Sequence, residues 1–210
     1  MEATEPTYPI QFDVDYADGP RNRLTTFFRL VLAIPILAVL AAVGASGVSS
    51  VDGGTPFLCM AAGTLFLPPL LLIVARQKYP RWWFDFSLAC LRFHNRVAAY
   101  LLLLRDEYPS TDEEQAVHLE LPYPDVPSDL NRWMPLVKWF LAIPHYAVLV
   151  VLDVAVVLAA VGAWFAIVFT GRYPRRLFHF TVGTMRWHNR VAGYAFALVT
   201  DRYPPFRLAA

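Results

Sequence analysis

The stretch PLVKWFLAIPHYAVLVVLDVAVVLAAVGAWFAIVFT, residues 135–170, decides how the rest of the chain is read. Its only charges are Lys138 near the start and Asp153 in the middle. As a single helix it would be about 54 Å long at 1.5 Å per residue, well beyond the ~30 Å of a hydrocarbon core. Two spans, 134–152 and 154–170, turning at Asp153, fit that thickness and are the expectation for this region.

Two further apolar runs lie upstream. Residues 27–47 (FFRLVLAIPILAVLAAVGASG) and 56–75 (PFLCMAAGTLFLPPLLLIVA) each approach the ~20 residues that a spanning helix needs. The intervening GVSSVDGGTP is a loop signal of Gly, Ser, Asp and Pro. The composition agrees: the chain is 57% apolar and 17% charged, against roughly 25% charged in soluble domains. Disorder is excluded by that apolar content, and two cysteines, Cys59 and Cys90, are no disulfide scaffold. A net charge of +1 offers no field for nucleic acid. The acidic opening MEATEPTYPIQFDVDYADGP is no secretory signal. Within it Ile10, Phe12, Val14 and Tyr16 alternate with Gln11, Asp13 and Asp15, the period of a half-buried strand.

The chain also repeats itself. RFHNRVAAY at 92–100 recurs as RWHNRVAGY at 186–194, LAIP at 32–35 recurs at 141–144, and Tyr79-Pro80-Arg81 recurs as Tyr173-Pro174-Arg175. Tyr108-Pro109 matches Tyr203-Pro204, and VHLELPYP at 117–124 repeats the alternation of the N-terminal strand. The expected architecture is an all-α integral membrane protein with short extramembrane strands, built as two parallel repeats. Repeat one, 1–112, has a strand at 8–16, spans at 27–47 and 56–75 and an amphipathic interfacial helix at 82–104. Repeat two, 113–210, has a strand at 117–123, the spans 134–152 and 154–170 and an amphipathic helix at 177–199. All eighteen Lys and Arg lie away from the two proposed far-side turns, which hold Asp52 and Asp153. The excess of cations on the cytoplasmic side predicts cytoplasmic N- and C-termini in a multi-pass protein of the bacterial inner membrane. Trp82, Trp83, Trp133 and Trp139 suit anchoring at the headgroup level.

The words LAIPHYAVLVVL, AWFAIVFTGRYPRRLF and RWHNRVAGYAFALVTDRYPPF resemble a family of bacterial membrane proteins catalogued as domain of unknown function 4389. The first half resembles a diverged copy, with RQKYPRWWF in place of FTGRYPRxLF. The resemblance implies a membrane location and a duplicated architecture. It implies no catalytic residues.

On a helical wheel Arg92, Asn95 and Arg96 share one arc with Asp85, opposite Phe93, His94, Val97, Ala98 and Leu101. The second copy sets Arg186, Asn189 and Arg190 against Trp187, His188, Val191 and Ala192. These six Arg and Asn residues are the candidate lipid- or partner-binding set, since Arg on an amphipathic helix suits anionic headgroups. His94 and His188 form a paired candidate for haem ligation, although no Cys or carboxylate accompanies them at ligand spacing and no metal site is expected. Arg29 and Lys138, each six residues before a LAIP proline, are expected to snorkel to the interface. Hydrolase, phosphate-loop and metalloprotease motifs are absent from the sequence. The expectation is therefore a non-enzymatic accessory or scaffold subunit without a cofactor, meeting membrane lipids, a larger membrane complex or further copies of itself. The alternatives are a haem- or metal-binding electron-transfer subunit using His94 and His188, and a small transporter with a site between the repeats.

Overall fold

The computed structural model describes residues 8–45 and 56–209, with side chains described at 8–41 and 66–209. Asp52 of the proposed loop lies outside the described residues, and Cys59 falls in the part of the chain where no side chain is described. In chain order the elements are β1 (Gln11–Val14), α1 (Arg23–Phe27), α2 (Arg29–Leu32), α3 (Ile34–Ala45), α4 (Pro56–Arg76), α5 (Arg81–Leu101), β2 (Val117–Glu120), α6 (Val126–Asp129), α7 (Pro135–Leu141), α8 (Ile143–Thr170) and α9 (Arg175–Ala195). The molecule is mostly helical, with one small sheet.

The turn expected at Asp153 is not formed: residues 143–170 are the single helix α8. A lone carboxylate does not break a helix, and no Gly or Pro stands between Pro144 and Gly162 to do so. The expected four spans therefore lose their second hairpin. Among the described residues α8 is the one helix long and apolar enough to cross a membrane. It ends at Gly171, whose φ of 73° closes the helix in the left-handed region.

The first apolar run is likewise a bent series, α1 to α3, rather than one span over 27–47. Asn22 starts it, its side chain accepting the Leu24 and Thr25 amides. Pro35 and Pro144 explain the breaks that follow. Each lacks the amide that would bond four residues back, and the amides of Ala33 and Ala142 instead reach two carbonyls each, Arg29 with Val31 and Lys138 with Phe140.

The two strands pair with each other, antiparallel, with Phe12 opposite Leu119 and Val14 opposite Val117. Phe12, Val14, Val117 and Leu119 face inward, whereas Gln11, Asp13, His118 and Glu120 are exposed. Beneath the sheet lie α5 and α9. Beneath those lie α3, where Ala33, Ile36 and Leu40 meet Phe93, Val97 and Tyr100, and α8, where Ala142 and Leu149 meet Trp187, Val191 and Tyr194. The principal core joins the sheet to α5 and α9 through Phe84, Tyr173, Phe178 and Val182. Each strand rests on the helix of the opposite half of the chain in part: Gly193 of α9 sits so close under Ile10 that an added Cβ would come within 2.1 Å of its Cδ1.

Candidate functional site

The six residues expected to meet lipid or a partner are placed between helices and sheet. Arg92 donates from Nε to the Leu119 carbonyl of β2 at 3.0 Å, and Arg186 from Nε to the Phe12 carbonyl of β1 at 2.9 Å. Arg96 donates to the Ser110 carbonyl, and Arg190 to those of Arg207 and Ala209. Arg96 and Arg190 are buried, while Arg92 is exposed. Between the two helices, Asn95 Nδ2 donates to Asn189 Oδ1 at 2.7 Å and Asn189 Nδ2 to Asn95 Oδ1 at 2.8 Å. The arginine faces of α5 and α9 thus point at the protein's own strands and tails. Their aromatic faces are covered as well, by α3 and α8.

Arg29 and Lys138 do not snorkel. Arg29 is 2% exposed and Lys138 is fully buried. Arg29 pairs with Asp106 and lies over the Tyr100 ring, its guanidinium carbon 4.1 Å from the centroid. Lys138 pairs with Asp201 at 2.7 Å, donates to the Thr200 carbonyl at 2.8 Å and lies over Tyr194 at 5.2 Å. The same carboxylates also hold backbone: Asp106 accepts the Asn22 amide and Asp201 the Asn131 amide. Each of these buried cations is met by a carboxylate and a ring, and Lys138 by a carbonyl as well, which is how proteins tolerate such burial. Sequence reading missed Asp106 and Asp201. Their shared place two residues before a Tyr-Pro pair was the available signal.

His94 and His188 interact electrostatically. Burial, and then the charge of His188, hold His94 below the ordinary histidine range. Burial alone would lower His188 too, but Asp153 and the Thr184 carbonyl outweigh it and raise the imidazole above 6.5. His188 Nε2 lies 3.3 Å from Asp153 Oδ1, and its Nδ1 is 3.1 Å from the Thr184 carbonyl. With both nitrogens so engaged, His188 as arranged turns no lone pair towards a metal. Among the described residues no group of three or more His, Cys, Asp or Glu converges to hold a metal ion. The pairing also sets a pH dependence. A raised folded-state value makes the stabilisation complete below about pH 6.5, and it is lost as pH rises through the folded value. Imidazole titration by NMR should show His188 titrating above 6.5 and His94 below it. His188→Gln should move the His94 titration upward, and a His94 curve unchanged by that substitution would refute the coupling.

The remaining feature is apolar and outward. Along α8, Val150, Val151, Val154, Val157, Leu158, Val161, Phe165 and Phe169 are between 50% and 72% exposed. Leu30 and Ile34 of α2 and α3, and Phe140 of α7, are also 54–77% exposed. The opposite side of α8 is a buried stripe of His145, Leu149, Val156, Ala159, Ala163 and Ile167. Within it His145 Nδ1 accepts the Trp187 indole N–H at 3.0 Å and its ring stacks on Phe206. A surface depression of about 230 Å³ beside β1, lined by Tyr8, Gln11, Asp13, His118 and Arg186 among others, falls below the usual ~300–1,000 Å³ of a small-molecule pocket.

These features define a helical protein with a polar sheet on one side and a bare apolar face on another. Residues 132–207 are similar to the domain of unknown function 4389. The match is a single copy in the second half of the chain. No curated protein and no solved structure matches the chain.

Proposed function

We propose that this is a membrane-bound, non-enzymatic accessory or scaffold protein that meets lipid through the exposed face of α8 and its continuation on α2 and α3. The observation that carries this reading is that face itself. Contiguous apolar patches on soluble monomers rarely exceed a few hundred Å², whereas here large aliphatic and aromatic side chains stand exposed along 28 residues of helix. The arginines of α5 and α9 then serve as internal ties, each giving at least one donor to a backbone carbonyl.

We also read the chain as two copies of one unit about a two-fold axis. Supporting it are the reciprocal Asn95–Asn189 bonds, the Arg29–Asp106–Tyr100 and Lys138–Asp201–Tyr194 trios, and the strand ladder with Phe12 opposite Leu119. The two copies differ where α8 runs unbroken and the first half has α3 and α4 instead.

Flotation of the purified chain with vesicles of phosphatidylethanolamine and phosphatidylglycerol tests the lipid contact. Wild type should rise with the vesicles, and Val154→Asp/Val157→Asp should remain in the dense fractions with its circular dichroism unchanged. A wild-type chain that is monodisperse without detergent and stays below the vesicles would overturn the reading.

A further inference from the structure

The length of α8 invites a transmembrane orientation, but what is stacked on it forbids one. Helix α9 runs antiparallel along α8 for most of its length. Leu177 meets Gly162, His188 pairs with Asp153, and Trp187 and Val191 pack with His145 and Leu149. On the other side of α9, near its middle, Arg186 holds the Phe12 carbonyl of β1. The sheet is therefore level with the midpoint of α8 and not beyond its end. Its outward residues are Gln11, Asp13, His118 and Glu120, and a two-stranded ladder has two open edges. Were α8 to cross the bilayer, these charges and unpaired backbone groups would sit at mid-membrane depth, where there is no water to satisfy them.

We infer that α8 lies in the plane of the membrane, with its exposed valines and phenylalanines immersed in a single leaflet and the sheet held in water above. The layering meets this orientation at every level. The immersed face carries Val150, Val151, Val154, Val157, Leu158 and Phe165. The layer above supplies the polar side that an ordinary interfacial helix carries on itself. Asp153, the acid on α8, pairs with His188 of α9, which places it at the flank of the helix. At the C-terminal end of α8, Arg172, Arg175 and Arg176 are exposed, beside the headgroups of an anionic leaflet. The occupant of the apolar face is thus the headgroup–acyl boundary of one leaflet, reached to a depth of about 5–10 Å.

This inference rests on the proposed lipid contact, and one experiment separates the two. In the full chain with Cys59→Ser and Cys90→Ser, nitroxide labels are placed singly at Val150→Cys, Val157→Cys and Phe165→Cys. Their depth is read by oxygen and nickel-chelate accessibility in phosphatidylethanolamine–phosphatidylglycerol vesicles. A label at Glu120→Cys serves as the reference in the sheet. An in-plane helix gives the three α8 labels one common depth, agreeing within about 5 Å, with Glu120→Cys fully aqueous. A crossing helix separates residues 150 and 165 by about 22 Å along the membrane normal and makes 157 the deepest, which overturns the inference while leaving lipid binding intact. If all four labels are aqueous on a chain that does not bind vesicles, both readings fall. The substituted α8 positions are all at least half exposed, so the changes leave the core untouched.

Discussion

Asp201→Asn should lower the free energy of unfolding by about 3–5 kcal/mol, the usual cost of breaking a buried ion pair from one side. The amine left behind, on Lys138, is fully buried. Burial already drives it below the ordinary lysine range, with Asp201 pulling the other way. Without Asp201 the folded state binds that proton still more weakly than the unfolded chain does. Stability of the variant should therefore rise with pH, because the unfolded state binds more protons. The amide oxygen of the new Asn can still take the Asn131 amide, now bonded to Asp201 Oδ2 at 2.6 Å, so the loss reports chiefly on the charge. Lys138→Met/Asp201→Asn should recover most of the stability, since apolar replacement of a buried pair is often neutral. Denaturant titration followed by circular dichroism measures all three chains. An unchanged midpoint in Asp201→Asn would show that the pair does not hold the two ends of this half together.

Asn95→Leu should cost about 1–3 kcal/mol, the penalty for a buried polar group left without its partner. Each amide nitrogen of the Asn95–Asn189 pair makes two bonds, one to the partner and one to a carbonyl a turn earlier, Leu91 for Asn95 and Met185 for Asn189. Each oxygen accepts from the other residue. Removing Asn95 leaves Asn189 Oδ1 without a donor in a position 5% exposed. The double substitution Asn95→Leu/Asn189→Leu should be less destabilising than the sum of the singles, with a coupling of about 0.5–3 kcal/mol. Strict additivity would mean that the two amides do not depend on each other.

The parts of this fold that were legible in the sequence were local. The alternation of Ile10, Phe12 and Val14 marks β1, and the RFHNRVAAY and RWHNRVAGY words lie within α5 and α9. What was hidden depends on contacts between distant residues. Arg29 meets Asp106, 77 positions away, and Lys138 meets Thr200, 62 away. Such a cation looks interfacial on a wheel because the wheel shows its own helix alone. Asp153 misled for a related reason. An acid in an apolar run suggests a turn in water, but α9 brings His188 alongside and the helix continues. The arginine faces read as outer surface on a wheel, and the carbonyls that Arg92, Arg186 and Arg190 meet come from remote segments.

Those covering segments cross between the halves. Arg186 of α9 grips β1, Arg92 of α5 grips β2, the Arg21 amide bonds the Gly171 carbonyl at the end of α8, and Arg132 bonds Val74 at the end of α4. Neither half owns its own lid. A chain severed near Glu113 would leave each piece with its strand resting on the other piece's helix, so the halves are clasped and not merely adjacent. Either piece alone would regain these bonds only by meeting the other piece as a separate molecule. Because both halves belong to one chain, that exchange of strands is intramolecular and independent of concentration.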